Sequence, residues 1–125
     1  MFKDARAAAD RLLPSVNADG ETGDPLPIVN GGWFVPVLRN ARLTGFFQFD
    51  EALTFLRFSA FPSPIDPRLW LDADAIRDRA LRAYPNESAD GPPFLTWDGN
   101  VTRLVWAVPV TGGTIYVAGD YAYRA

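Results

Sequence analysis

The sequence predicts an α+β fold built from two related helix-plus-antiparallel-sheet units. Three observations carry that expectation. Two Ala-containing stretches repeat apolar residues at helical spacing, and each runs up to a proline. Around them lie short runs of alternating apolar residues, punctuated by Gly, Asn and Asp. An unusual phrase also occurs twice, WFVPV at 33–37 and WAVPV at 106–110. Proline is rare inside a strand because it donates no N–H, so its recurrence at one place in a hydrophobic run points to a recurring structural unit.

The first unit opens with a helix over 2–13. Phe2, Ala5, Ala9 and Leu12 form its apolar stripe, and Pro14 ends it. A short apolar run, Pro27-Ile28-Val29, closes on an Asn30-Gly31 turn. In the strand that follows, Trp33, Val35 and Val37 share one face and Pro36 points to the other. A turn at Arg39-Asn40-Ala41 leads into TGFFQFD (44–50), and Glu51-Ala52 into a further strand over 53–60. The stretch FPSPIDPR (61–68) reads as a proline-rich connector, so the units are placed at 1–60 and 71–125 with 61–70 between them, within one compact domain.

The second unit repeats the scheme. Asp72 is the expected N-cap of a helix over 71–84, with Leu69, Ala73, Ile76, Ala80 and Tyr84 as its stripe and Pro85 as its stop. Asp78 and Arg82 are spaced to pair on its wet side. Pro93-Phe94-Leu95 runs towards an Asp98-Gly99 turn and echoes the run at 27–29. Trp106, Val108 and Val110 then share a face, and Thr111-Gly112-Gly113 turns into a strand over 114–123. Gly45 is matched with Gly119, Phe47 with Tyr121 and Phe49 with Tyr123. The expected core anchors are Trp33, Val35, Trp106 and Val108. Pro36 and Pro109 mark one bend, or break in the ladder, repeated in both units.

Composition narrows the chemistry. The chain has 125 residues, 48% hydrophobic and 22% charged, a globular balance. Its net charge of -3 supplies no basic field for nucleic acid. Lys3 is the single lysine among twelve basic residues, an arginine bias that fits a GC-rich bacterial gene. There is no Cys and no His, which removes disulfides, thiolate nucleophiles, imidazole metal sites and Ser-His-Asp catalysis. The N-terminal stretch MFKDARAAADRLL has no apolar core of the kind a secretion signal needs, and no run approaches the ~20 residues of a membrane helix. The expectation is a soluble protein with no membrane insertion, no metal and no cofactor, cytoplasmic if the sequence is the whole chain and of open location if a signal peptide has been trimmed from it.

Few residues offer themselves as a site. Arg57 interrupts an apolar strand and shares a face with Leu53, Phe55 and Ser59; it is the one candidate for an anionic ligand, or else a charge that discourages edge pairing. Asp50 and Glu51 are adjacent carboxylates, read as solvated turn residues. Tyr121 and Tyr123 are read as packing residues because they match phenylalanines. The Asn86-Glu87-Ser88 and Asn100-Val101-Thr102 triplets fit a glycosylation pattern but read as turn composition.

The unit resembles the PepSY domain, in which an Ala-rich helix precedes strands carrying W-x-V-x-V and a v-x-v-D ending. The matching residues are Ala5–Leu13, Trp33–Val37 and Phe47–Asp50, with Trp106–Val110 in the second copy. Arg124 stands where the first copy has Asp50, Glu51-Ala52 replaces the usual Thr-Gly, and the second copy stops before the expected last turn and strand. The residue-by-residue echo implies a pseudo-two-fold pair of repeats, and the resemblance gives each a PepSY-like or cystatin-like form. The resemblance also implies a non-catalytic module that binds or restrains another protein, such as a peptidase or an envelope component. Two other roles stand beside it: a small-ligand or enzymatic pocket of cystatin-like shape with Arg57 as its polar group, and a structural protein that self-associates through strand edges into a homo-oligomer.

Overall fold

A computed structural model describes residues 2–16, 18–29, 31–98 and 104–124 of the chain, without the side chains of Phe2 and Lys3. The fold is α+β, with two short helices and two antiparallel sheets, one of five strands and one of four. The chain divides into two compact units, residues 1–66 and 67–125.

In the first unit, α1 (Phe2–Leu12) is followed by a 3-10 turn over Leu13–Ser15, where Pro14 is accommodated. Alanines make the helix thin on one side: Ala5, Ala8 and Ala9 are buried against Val35, Val37, Phe47 and Phe49. Polar groups tie its other flank down. Arg6 donates to the Thr22 carbonyl at 2.7 Å, and the buried Thr22 hydroxyl donates to Asp10 at 2.6 Å. The sheet comprises β1 (Glu21–Thr22), β2 (Leu26–Pro27), β3 (Trp33–Arg39), β4 (Arg42–Phe49) and β5 (Phe55–Ile65), ordered β1-β3-β4-β5 with β2 also on β3. The β3–β4 hairpin turns through Asn40 (φ 52) and Ala41 (φ 61), both left-handed as a type I′ turn requires.

The second unit places α2 (Ala73–Ala83) behind a 3-10 turn at Pro67–Leu69. Asp72 caps α2 as expected, accepting from the N–H groups of Asp74 and Ala75 at 3.0 and 3.1 Å. Removing such a cap costs about 1 kcal/mol. Ile76 and Ala80 form its buried stripe, and its ion pair joins Arg77 to Asp74 at 3.1 Å. The sheet is a plain meander of β6 (Phe94–Trp97), β7 (Leu104–Val110), β8 (Gly113–Ala118) and β9 (Tyr121–Arg124).

Both phrases therefore lie on an inner strand, β3 and β7, that follows a helix. The strand faces are those expected, with Val35 and Val108 fully buried. The prolines also have a shared cause. On its outer side β3 pairs with β1 opposite Val37 and Leu38, then with β2 opposite Trp33 and Phe34. Pro36 faces the gap between those two pairings, where its carbonyl accepts from Gly23 N–H at 2.8 Å. On β7, an isolated bridge from Ala89 to Val110 precedes the β6 ladder, which starts at Ala107. Pro109 faces that gap, and its carbonyl accepts from Asp90 N–H at 2.9 Å. A residue that lacks an N–H sits where the neighbouring chain swings away, while its carbonyl remains in use.

Several sequence expectations need correction. The run 114–123 is not one strand; it breaks at Gly119-Asp120 into β8 and β9. Register then overturns the downstream echo. Val35 lies opposite Phe47 and Val108 opposite Ile115, while Val37 lies opposite Gly45 and Val110 opposite Gly113. Gly45 thus corresponds to Gly113, not Gly119, and Phe47 to Ile115, not Tyr121. The upstream echo shifts too, because Leu26 faces Phe34 as Phe94 faces Ala107. The expected connector is partly strand: Phe61–Ile65 complete β5, and the units part between Asp66 and Pro67. Of the expected turn residues, Asn30 and Gly99 lie outside the described residues, as does the 100–102 triplet.

Candidate functional site

Arg57 is spent within the fold. It pairs with Gln48 across β4 and β5, and its Nε donates to the Gln48 side-chain oxygen at 2.8 Å. Its guanidinium lies 5.9 Å from the centre of the Phe46 ring. Gln48 is fully buried, so this bond satisfies an amide that would otherwise cost free energy. The expected grouping of Arg57 with Phe55 is wrong for a specific reason. Phe49 faces Phe55 while Gln48 faces Arg57, so Leu56 is an extra residue that bulges and switches faces. Arg57 and Ser59 stay together, opposite Gln48 and Phe46, and Phe55 joins the α1 side.

The adjacent carboxylates behave as a turn. Asp50 accepts from the N–H groups of Ala52 and Thr54, each at 2.9 Å, and Leu53 adopts φ 65 to close the loop. Tyr121 departs from the expected packing role and is 63% exposed, stacked 5.6 Å from Tyr123, which itself donates to Asp98.

The most developed polar cluster went unread in the sequence. Glu87, in the loop after α2, accepts from the Thr111 hydroxyl and the Gly112 N–H at 3.0 Å each, and pairs with Arg124 of β9. Arg124 also donates to the Gly112 carbonyl at 2.8 Å and lies over the Tyr84 ring, 5.6 Å from its centre. The Arg124 guanidinium, aided by the Thr111 and Gly112 donors, holds the Glu87 carboxyl below its ordinary value, against the opposing effect of desolvation. Glu87 stood in the sequence as the middle of a glycosylation-like triplet, and nothing local announced partners 24 and 37 residues away. Glu87 and Arg124 both reach the β7–β8 turn, at Thr111 and Gly112, so the arrangement latches β9 to that turn.

An apolar rim is the feature left without an internal purpose. Pro27, Trp33, Phe49 and Phe55 lie directly opposite one another across β2, β3, β4 and β5, forming one row at the end of the first sheet. Phe49 is buried, but Trp33 is only half-buried and Phe55 is 44% exposed. Leu56, on the bulge beside the row, is 40% exposed. Val29 is 45% exposed in the β2–β3 turn, which nests against the β4–β5 turn so closely that a Cβ on Gly32 would sit on the Phe49 carbonyl oxygen. Trp33, expected as a sealed core anchor, thus stands at the edge of the core it packs against. Glu51 supplies an acidic group at the same rim, its side chain lying against Gly31. Sequence reading assigned Trp33 to the core and grouped Phe55 with Arg57, because it could not see where the sheet ends.

Among the described residues, no group of three or more His, Cys, Asp or Glu side chains is placed to hold a metal ion, and no helix is long and apolar enough to cross a membrane. Comparison of the chain with protein families, curated proteins and solved structures finds no match.

Proposed function

We propose that this protein is a non-catalytic binding module of PepSY-like type, a diverged tandem pair of helix-and-meander repeats, and that it engages another protein through the apolar rim of its first unit. The observation that carries this reading is the row Pro27–Trp33–Phe49–Phe55, with Leu56 and Val29 beside it. Three of the four large hydrophobic side chains that stand exposed among the described residues lie at this one end of one sheet. A cluster of exposed apolar groups marks an interaction surface, whereas isolated ones carry no such meaning. The strong polar groups elsewhere are spent on structure, with Arg57 on Gln48 and Glu87 on Arg124, Thr111 and Gly112. The common element order, with WxVPV on the inner strand of each unit, supports the tandem pair.

The test is photo-crosslinking in the native host from a benzophenone residue at position 56. The expected result is one stoichiometric protein adduct that Phe55→Ser abolishes. Adducts spread over many proteins in trace amounts would remove the reading.

A further inference from the structure

The second unit contains the equivalent of the exposed rim, and there it is covered. By register, the row Leu95–Trp106–Val117–Ala122 corresponds to Pro27–Trp33–Phe49–Phe55, although β6 and β7 continue past it to Trp97 and Leu104 whereas β3 begins at Trp33. Leu95, Trp106 and Val117 are all buried. What lies against the Trp106 indole is a short irregular strap, Pro67–Leu71. It is wound as a 3-10 turn in which the N–H groups of Trp70 and Leu71 donate to the Pro67 carbonyl at 3.0 and 2.7 Å. Winding leaves the Trp70 carbonyl turned outward, and it accepts from Trp106 Nε1 at 3.0 Å. Leu69, Trp70 and Leu71 are each half-buried in this position. A buried indole needs an acceptor for its one donor, and the strap supplies it.

In the first unit the same row ends in a half-buried Trp33 and an exposed Phe55, and no described hydrogen bond engages the Trp33 indole. We infer that the rim is the receptor for a strap supplied by a partner: a single turn of chain with leucine or tryptophan side chains, offering a backbone carbonyl to Trp33 Nε1. Glu51 at the rim selects for a basic residue flanking that turn, the place Arg68 holds in the internal strap. This rests on the binding-module reading and adds the chemistry of the bound segment.

The internal strap is itself the probe. A synthetic peptide with the sequence of residues 66–72, DPRLWLD, is titrated into the full ¹⁵N-labelled chain, with the Trp33 indole resonance assigned from Trp33→Phe. The expected result is a saturable shift of the Trp33 indole and of the Phe49 and Phe55 amides, with Trp106 unmoved. A peptide with both leucines changed to serine should bind at least about tenfold more weakly. Leu56→Ser, at an exposed bulge, should weaken binding without disturbing the fold. The inference is overturned if Trp33 shows no saturable shift at millimolar peptide, or if Leu56→Ser and Phe55→Ser both leave the affinity unchanged. It is equally overturned if the unliganded chain sediments as a dimer that Phe55→Ser dissociates, since the row then belongs to a second copy. A crosslinked host partner whose binding ignores the peptide would discard the strap and leave the binding-module reading standing.

Discussion

Trp33 and Trp106 open the same phrase in two similar strands and have different fates. Each opens a WxVPV run, each faces the helix side of its sheet, and each lies in a row that crosses the whole sheet. Trp106 is 5% exposed and hydrogen-bonded to the strap before α2. Trp33 is half-buried at the rim. Two things differ: β7 begins at Leu104, so Trp106 lies two residues inside its paired strand while Trp33 opens β3, and the strap before α2 meets the Trp106 indole. A shared local pattern makes a sealed core residue where the sheet continues and a strap meets it, and a partly buried one where neither holds, so the strand phrase alone decides the face and not the burial.

Truncating the two side chains should expose that difference most sharply. Trp106→Ala should cost about 3–5 kcal/mol, as large-to-small changes in a sealed core do. Trp33→Ala removes less buried area, because the side chain is only partly buried, and should cost less, about 2–3 kcal/mol. Urea unfolding of the two variants side by side measures both. Equal losses would mean that Trp33 is as much a core anchor as Trp106 and would dissolve the contrast.

The next effect concerns two glycines at one register position. A Cβ on Gly45 would fall 2.7 Å from the Ser59 carbonyl oxygen and 2.7 Å from the Phe58 ring, so Gly45→Ala forces β5 outward at about 1–3 kcal/mol. Gly113 has open space, its nearest neighbour being Arg124 at 3.8 Å, but sits at φ +135. Gly113→Ala should therefore cost about 1–2 kcal/mol through backbone strain alone. Adding Gly45→Ala to Phe58→Leu should recover part of the loss, and no companion change should rescue Gly113→Ala.

How much was legible follows from the same positions. The strand faces and the Asp72 cap could be read because each depends on neighbours within a few residues, and the two proline sites because a proline within a strand marks a break in its ladder whatever segment lies beside it. The match of Gly45 with Gly119 failed because F-x-F and Y-x-Y share a period of two, and that period carries no register. The tight turn at Thr111-Gly112 sets the register instead, and it makes Tyr121 and Tyr123 part of a later strand. Arg57 was placed on the wrong face by the one-residue bulge at Leu56, which no residue in FLRFSA announces. Glu87 and the rim were invisible for the same reason: both are made by segments distant in the chain.

The outer strands β5 and β9 are protected by different means, and acid should tell them apart. β5 has bulges, with Pro62 and Pro64 on its length, and these do not titrate. β9 is latched by Arg124 to Glu87, whose folded pKa lies below its ordinary value of 4.5. A depressed carboxyl stabilises the fold fully above that ordinary value and loses its contribution as pH falls through the folded pKa. Hydrogen exchange below pH 4.5 should show β9 losing protection before β5, and Glu87→Gln should produce the same order at neutral pH. Simultaneous loss in both strands would dismiss the latch.

The smallest stability effect belongs to the rim. Leu56→Ser should change unfolding free energy by no more than about 0.5 kcal/mol, because the side chain stands on an exposed bulge. A larger loss would place Leu56 in the packing of the first unit and shrink the candidate surface to Phe55 and Val29.

The gap opposite each proline has a consequence for how such a chain can change in length. Between the pairings on its two sides the first unit spans the gap with Gly23-Asp24-Pro25, and the second with Asp90-Gly91-Pro92-Pro93. One residue has been added or lost there, yet Val37 and Phe34 find their outer neighbours just as Val110 and Ala107 do. Elsewhere in a sheet a single insertion turns every following side chain to the opposite face. Here the proline has already released the neighbouring chain from the ladder, so extra residues leave as a loop and the chain resumes pairing in phase. Asp24 and Pro92, exposed residues of the two gaps, are accordingly the places where a reporter, an epitope or a natural insertion would be absorbed with the least disturbance.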